Sequence, residues 1–254
     1  MGYFNIEFKP TFTGINGLQD KTAAAFGTQD VFFDWETVDF PGGVIRIHGA
    51  TVVARGTNGA AQGFKFQLLF AHLDQSDGNP ISIGDVHDTA SGLNYYNHLC
   101  GSIVLEPAAG GTDYMSIRTE GGTDGNYDGH LVVDTTVRRN LMQDKLVPNM
   151  DRVGKLALAA IHTSGGADFN TGVLTDGAQS AATTETTFDV TGTDPRKVFM
   201  KGDLIHAHDD AAIGRVTATT NTTITVDAVA GALASGDEIA HNNPIKIILH
   251  CEMT

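Results

Sequence analysis

The sequence predicts an all-β protein: an antiparallel, jelly-roll-like β-sandwich with a second, small β-barrel or meander domain inserted near the C-terminus. Three observations carry that prediction. Thirty glycines interrupt short runs rich in Val, Ile, Phe and Thr across 254 residues, so few stretches reach the length a helix needs. Within Gly63–Ala71, Phe64, Phe66 and Leu68 fall on one face and Lys65, Gln67 and Leu69 on the other, as in a strand with one side in a core. From about Thr171 the composition shifts to Thr, Ala, Asp and Gly with few aromatics, which marks a separate unit.

In chain order, the first unit is expected to hold strands at Tyr3–Phe8, Asp30–Phe33, Gly43–Ala54, Gly63–Ala71, Cys100–Leu105, Tyr114–Arg118, His130–Thr136 and Lys155–His162. Asn58-Gly59 offers the positive φ of a tight turn, which predicts that Gly43–Ala54 and Gly63–Ala71 form a hairpin. Thr135–Val147 reads as a short helix. There Val137, Leu141 and Lys145 recur at fourth positions beside Met142 and Leu146, and Pro148 stops the run.

The second unit contains a self-similar pair, Gly202-Asp-Leu-Ile205 and Gly236-Asp-Glu-Ile239, and two expected strands, Ile213–Val216 and Thr223–Val226, around a polar turn. Pro244–Glu252 is more hydrophobic and follows the turn-like Asn242-Asn243-Pro244. It is expected to return to the first unit, with Ile245–Cys251 pairing with Leu156–His162. The domains are then 1–170 with 244–254 as the returning final strand, and 171–243 as an insertion, tolerated where both ends leave at a surface loop.

Lys and Arg number 16 against 30 Asp and Glu, a formal net charge of −14. Few, scattered cations argue against a nucleic-acid partner, which needs clustered Lys and Arg on phosphates. A hydrophobic fraction of 41% is enough for a core. Cys100 and Cys251 lie far apart without a CxxC, which fits reduced thiols better than a disulfide framework. No stretch approaches the ~18 apolar residues of a membrane helix, and no signal-like segment opens the chain. The expectation is synthesis in the cytoplasm of the producing cell and no membrane partner.

Candidate chemistry is sparse, and no cofactor is expected beyond a calcium candidate. Asp124, Asn126 and Asp128, followed by Gly129, match the first half of a calcium loop. The twelfth position is Thr135 rather than a bidentate Glu, and Asp, Asn and Gly also make ordinary turns. His206 and His208, with Asp209 and Asp210, place two imidazoles on one strand face, with His162, His241 and His250 as further candidates from the fold; the other reading is a solvated strand edge. His98 lies two residues from Cys100, but nucleophile and base must meet in space; a packed thiol is the plainer reading. Trp35 with Phe32, Phe33 and Phe40 forms either a sugar-stacking platform or core. No GxSxG, GxxxxGK[ST] or GxGxxG occurs, so no catalytic residue is assigned and the chain is not expected to be an enzyme.

A resemblance lies in Pro41–Ala50, Phe64–Ala71, the polar loop with Asn79-Pro80 and Ile83-Gly-Asp85, and Gly101–Leu105. This run is similar to β-sandwich structural proteins of tailed bacteriophages. The segments Gly202–Ile205, Ile213–Thr217, Thr223–Val226 and Gly236–Ile239 resemble small β-domains attached to phage virion proteins. The resemblance implies a virion structural protein that decorates or cements the capsid, made in the host cytoplasm, with the major capsid protein as partner, a homo-oligomer, a trimer in that class, and a place on the capsid surface. A tail or baseplate protein and a carbohydrate-binding β-sandwich are the alternatives. Tyr3–Phe8 reads either as an arm that adds a strand to a neighbour or as an ordinary first strand.

Overall fold

The structure is a computed structural model describing residues 2–11, 25–54, 64–76, 78–91, 98–105, 115–117, 131–148, 154–164, 166–167, 169–177, 186–207, 212–227 and 233–254. Its regular elements are strands, with one short 3-10 turn at Pro195–Lys197 and no α-helix among the described residues.

Two antiparallel sheets make up the larger unit. In the first, β1 (Tyr3–Phe8) pairs with β17 (Ile245–Met253), β17 with β3 (Val44–Ala54), and β3 on its far side with β6 (Met115–Ile117) and β7 (Leu131–Asp134). In the second, the order is β2 (Val31–Phe40), β10 (Gly154–Ser164), β4 (Lys65–Ala71), β5 (Leu99–Leu105). Their inner faces share one core: Ile45, Ile47, Val52, Ile247 and Leu249 from the first meet Phe66, Leu68, Phe70, Leu156 and Leu158 from the second. The period-2 pattern of each strand therefore buries one side against the opposing sheet, which is the sandwich expected from sequence. Phe32 meets Phe64 edge-on at 5.3 Å and Phe26 at 4.8 Å, a geometry aromatic rings favour.

The second sheet is covered on its outer side as well. Trp35, Leu69, Ala71, Ala157 and Ala159 pack beneath Leu73 and Ile83. Burial on both faces explains why Leu156–Ile161 is continuously apolar. On β2 the pairing passes from Leu158 opposite Glu36 to Ala160 opposite Phe33, an irregularity of one residue. It lets the neighbours Phe32 and Phe33 both enter the inner core while Trp35 turns outward.

Three local expectations are corrected. Gly43–Ala54 and Gly63–Ala71 form strands but not a hairpin: β3 and β4 belong to different sheets. Asn58-Gly59 lies outside the described residues, and a turn signal does not say which strands pair. Ile245–Cys251 does return to the sandwich, but between β1 and β3 rather than beside β10, whose neighbours are β2 and β4. Thr135–Val147 is not a helix but a ribbon of β8 (Val137–Asn140) and β9 (Lys145–Pro148), with Asp144 at φ 48° closing the turn. Its supposed apolar stripe is exposed, Met142 at 92%, while Arg138 is buried and its guanidinium donates to the carbonyls of Thr135 and Val137, each at 3.1 Å. The apolar spacing suited a helix, yet the core at this point receives Arg138 and Asn140 at alternate positions.

The Thr-rich segment supplies a six-stranded sheet with a core of its own. It contains β11 (Val173–Thr175), β12 (Thr187–Gly192), β13 (Leu204–Ala207), β14 (Ala212–Thr219), β15 (Thr223–Val226) and β16 (Ile239–His241), in the order β11-β12-β15-β14-β13-β16. Val173, Phe188, Ile205, Val216, Ile224 and Ile239 fill it. A bridge between Leu174 and Glu238, and Thr175 N–H donating to the Asp237 carbonyl at 2.9 Å, join its two edges. The self-similar tetrapeptides make matching turns before β13 and β16. Gly202 and Gly236 stand at φ +97° and +87°, a backbone that favours glycine. Each following aspartate accepts from the backbone N–H three residues back, Asp203 from Met200 at 2.7 Å and Asp237 from Ala234 at 2.6 Å.

Candidate functional site

Among the described residues, those singled out in the sequence do not converge on one site. Asp124, Asn126 and Asp128 lie outside the described residues, as do His208, Asp209 and Asp210. His206 and His241 come together on β13 and β16, each ring engaged with a backbone carbonyl: His206 Nε2 lies 3.2 Å from His241 O, and His241 Nε2 3.1 Å from Val198 O. His162 instead sits in the sandwich core beside Phe32, its Nδ1 2.7 Å from Gly27 O. His250 lies on the first sheet between Asn5 and Thr51, at 3.0 and 2.9 Å. Among the described residues no group of three or more His, Cys, Asp or Glu is placed to hold a metal ion.

The nucleophile candidate separates in the same way. Cys100 Sγ donates to Phe70 O at 3.2 Å, whereas His98 Nδ1 is 2.9 Å from His72 O. Burial pushes both thiols, Cys100 and Cys251, up to about 12, so neither is a ready nucleophile at neutral pH. Trp35 is buried, its Nε1 donating to Ile81 O at 3.1 Å, and Phe32, Phe33 and Phe40 face the inner core. These aromatics form core, not a sugar platform. Tyr3–Phe8 is an ordinary edge strand of its own chain, paired with β17.

Two polar regions emerge that the sequence reading did not isolate. One is the outer face of β1, β17 and β3, where Glu252, buried at the surface layer, takes His48 Nε2 at 2.9 Å and Arg46 Nη1 at 3.8 Å. Tyr3 stands beside it, 78% exposed, its ring 6.0 Å from that of His48. These groups largely satisfy one another.

The other is a cleft of about 580 Å³ between the sandwich and the six-stranded sheet. Lys9, at the end of β1, and Lys246, at the start of β17, line it from the sandwich; Lys197 and Arg215 line it from the other unit. Four cations thus face one concavity in a chain with 16 in all. Among the described residues Asp203 is the one carboxylate in the lining, and it already accepts the Met200 N–H. Arg215 Nη1 donates to Gly202 O at 2.6 Å, which fixes its guanidinium at the wall, and Lys246 Nζ reaches Glu7 Oε1 at 3.3 Å. Asn243 holds the sandwich side together, its Nδ2 donating to Lys9 O at 3.2 Å and Pro10 O at 2.9 Å. Val53, Met200, Leu204 and Pro244 supply the apolar part of the wall. Positions 9, 197, 215 and 246 share no motif, so only the fold brings these charges together.

No protein-family model matches the chain, and no curated protein matches it.

Proposed function

We propose that this chain is a non-enzymatic structural protein of a tailed-phage virion, decorating or cementing the capsid through contacts with the major capsid protein. The observation that carries the reading is strand order. Lettered B to I in chain order, β1, β2, β3, β4, β5, β7, β10 and β17 give sheets B-I-D-G and C-H-E-F. We read these orders as a jelly roll, the two-Greek-key arrangement recurrent in viral capsid and lectin domains, with β6 as an additional short strand beside β7 on β3. In this reading the Thr-rich unit, a small closed barrel, is inserted in the H–I connection, so a rigid sandwich carries an added domain at one end. The phage-like sequence segments favour the capsid member of that set over the lectin member, as does Trp35, which is buried as core rather than presented to a sugar.

Such a protein needs soluble subunits before assembly, and −14 supplies mutual repulsion between free copies. The subunits are proposed to act as trimers on the capsid surface. The test adds purified chain to capsids of the encoding phage prepared from a mutant lacking the gene. Saturable binding by a species of three times the 26.8 kDa chain mass supports the reading. Binding to tails alone moves the protein to the tail or baseplate, and binding to neither structure refutes the virion assignment.

A further inference from the structure

We infer that the cleft between the sandwich and the six-stranded sheet is a binding site for a small anionic sugar, one carrying a carboxylate or phosphate group. Its volume of about 580 Å³ falls within the ~300–1,000 Å³ of small-molecule sites. Among the described residues the lining has no Trp, Tyr or Phe, so a neutral sugar finds no ring to stack on among them, and binding draws on charge. Lys9, Lys197, Lys246 and Arg215 supply it against Asp203, the single carboxylate among the described lining residues, itself committed to its own turn. Among the described residues, the ammonium groups of Lys9 and Lys197 have no carboxylate within ion-pair distance. Among the described residues these two ammonium groups thus have no carboxylate in direct contact, though Asp194 lies within Coulombic reach of Lys197; both act as compact point charges that suit carboxylate and phosphate alike. The cations come from separate chain segments rather than along one strand edge, an arrangement suited to a compact ligand rather than an extended acidic peptide. Val53, Leu204 and Pro244 offer apolar surface to sugar C–H groups. The cleft would take such a ligand whether or not the chain sits on a virion.

The experiment titrates the full chain with digalacturonate and with glucose 6-phosphate, by calorimetry and NMR shift mapping at low salt. Cellobiose, inorganic phosphate and a hexaglutamate peptide serve as comparisons. At least one anionic sugar should bind, with shifts at Lys197, Leu204 and Lys246, and should weaken as salt rises. Whichever of the two binds more tightly identifies the anionic group. The double variant Lys9→Glu/Lys197→Glu should weaken binding at least tenfold and the milder Lys197→Gln at least threefold. Lys145→Glu, an exposed cation on β9 outside the lining, should leave it unchanged. Failure of both anionic sugars overturns the inference. So does equal or tighter binding of cellobiose, phosphate or hexaglutamate, or a loss with Lys145→Glu as large as with Lys197→Gln.

Discussion

Replacing Ile247 by Ala asks whether the strand that follows the Thr-rich unit is an integral part of the sandwich. Ile247 is fully buried, with Phe8 opposite it on β1 and Val52 on β3. Truncation removes three carbons from a site held on both flanks by paired strands, so little collapse can fill the void. Ile→Ala changes at such sites cost about 2–5 kcal/mol, a large part of the ~5–15 kcal/mol that holds a domain folded. At about 2–4 °C per kcal/mol for a unit of this size, the midpoint should fall by roughly 10 °C. The chain has one tryptophan, Trp35, buried in the sandwich, and residues 171–243 contain neither Trp nor Tyr. Its fluorescence therefore follows the sandwich. Ile224→Ala, at a fully buried site in the other core, should disturb far-UV dichroism while moving the Trp35 transition much less. A Trp35 midpoint unchanged by Ile247→Ala, or moved more by Ile224→Ala, would refute the placement of β17.

The remaining predictions concern titration and packing. Burial holds His72 down at about 4, against an ordinary 6.5, in spite of the opposing field of Asp134. The unfolded chain thus takes up that proton first on acidification: the His72 contribution is complete above pH 6.5 and is lost as pH falls towards 4. Between pH 7 and 4.5 urea midpoints should record a loss of about 2–3 kcal/mol from this group, and His72→Leu should flatten the slope; an equal slope in both proteins contradicts the assignment. A Cβ at Gly154 would stand 2.4 Å from Phe40 O and 2.6 Å from Pro41 O, both backbone atoms, so Gly154→Ala should cost about 1–3 kcal/mol or more, seen as a lower Trp35 midpoint. The thiol of Cys251, buried and raised to about 12, should resist a thiol reagent for the folded lifetime, and the partly buried Cys100, raised likewise, should label far more slowly than in denaturant; rapid labelling of both in the native protein would contradict their placement.

Strand positions were legible where local pattern and final environment agree. Tyr3–Phe8 and Thr223–Val226 appear at the expected residues because each alternates against a single core. The matched turns at Gly202-Asp203 and Gly236-Asp237 were legible as a repeat, since glycine geometry and the aspartate bond are both local. The full length of β2 was not: Asp34, Glu36 and Asp39 interrupt its apolar run, although Trp35, Val38 and Phe40 are buried. Pairing was the least legible level. Nothing within Gly43–Ala54 states that its partner lies some two hundred residues away in β17, and the cleft depends on that same long-range closure. Its lysines read in sequence as isolated solvated charges, and become a site only when β1 and β17 meet the six-stranded sheet.

The central claim is that the chain is a stoichiometric part of a virion surface. Quantitative mass spectrometry of purified particles of the encoding phage measures this most directly, as copies of the chain relative to the major capsid protein. The account predicts a ratio near that of a capsid decoration protein, approaching one copy per major capsid subunit. A handful of copies per particle would contradict capsid decoration and place the protein in the tail, and its absence from particles would contradict the virion assignment altogether.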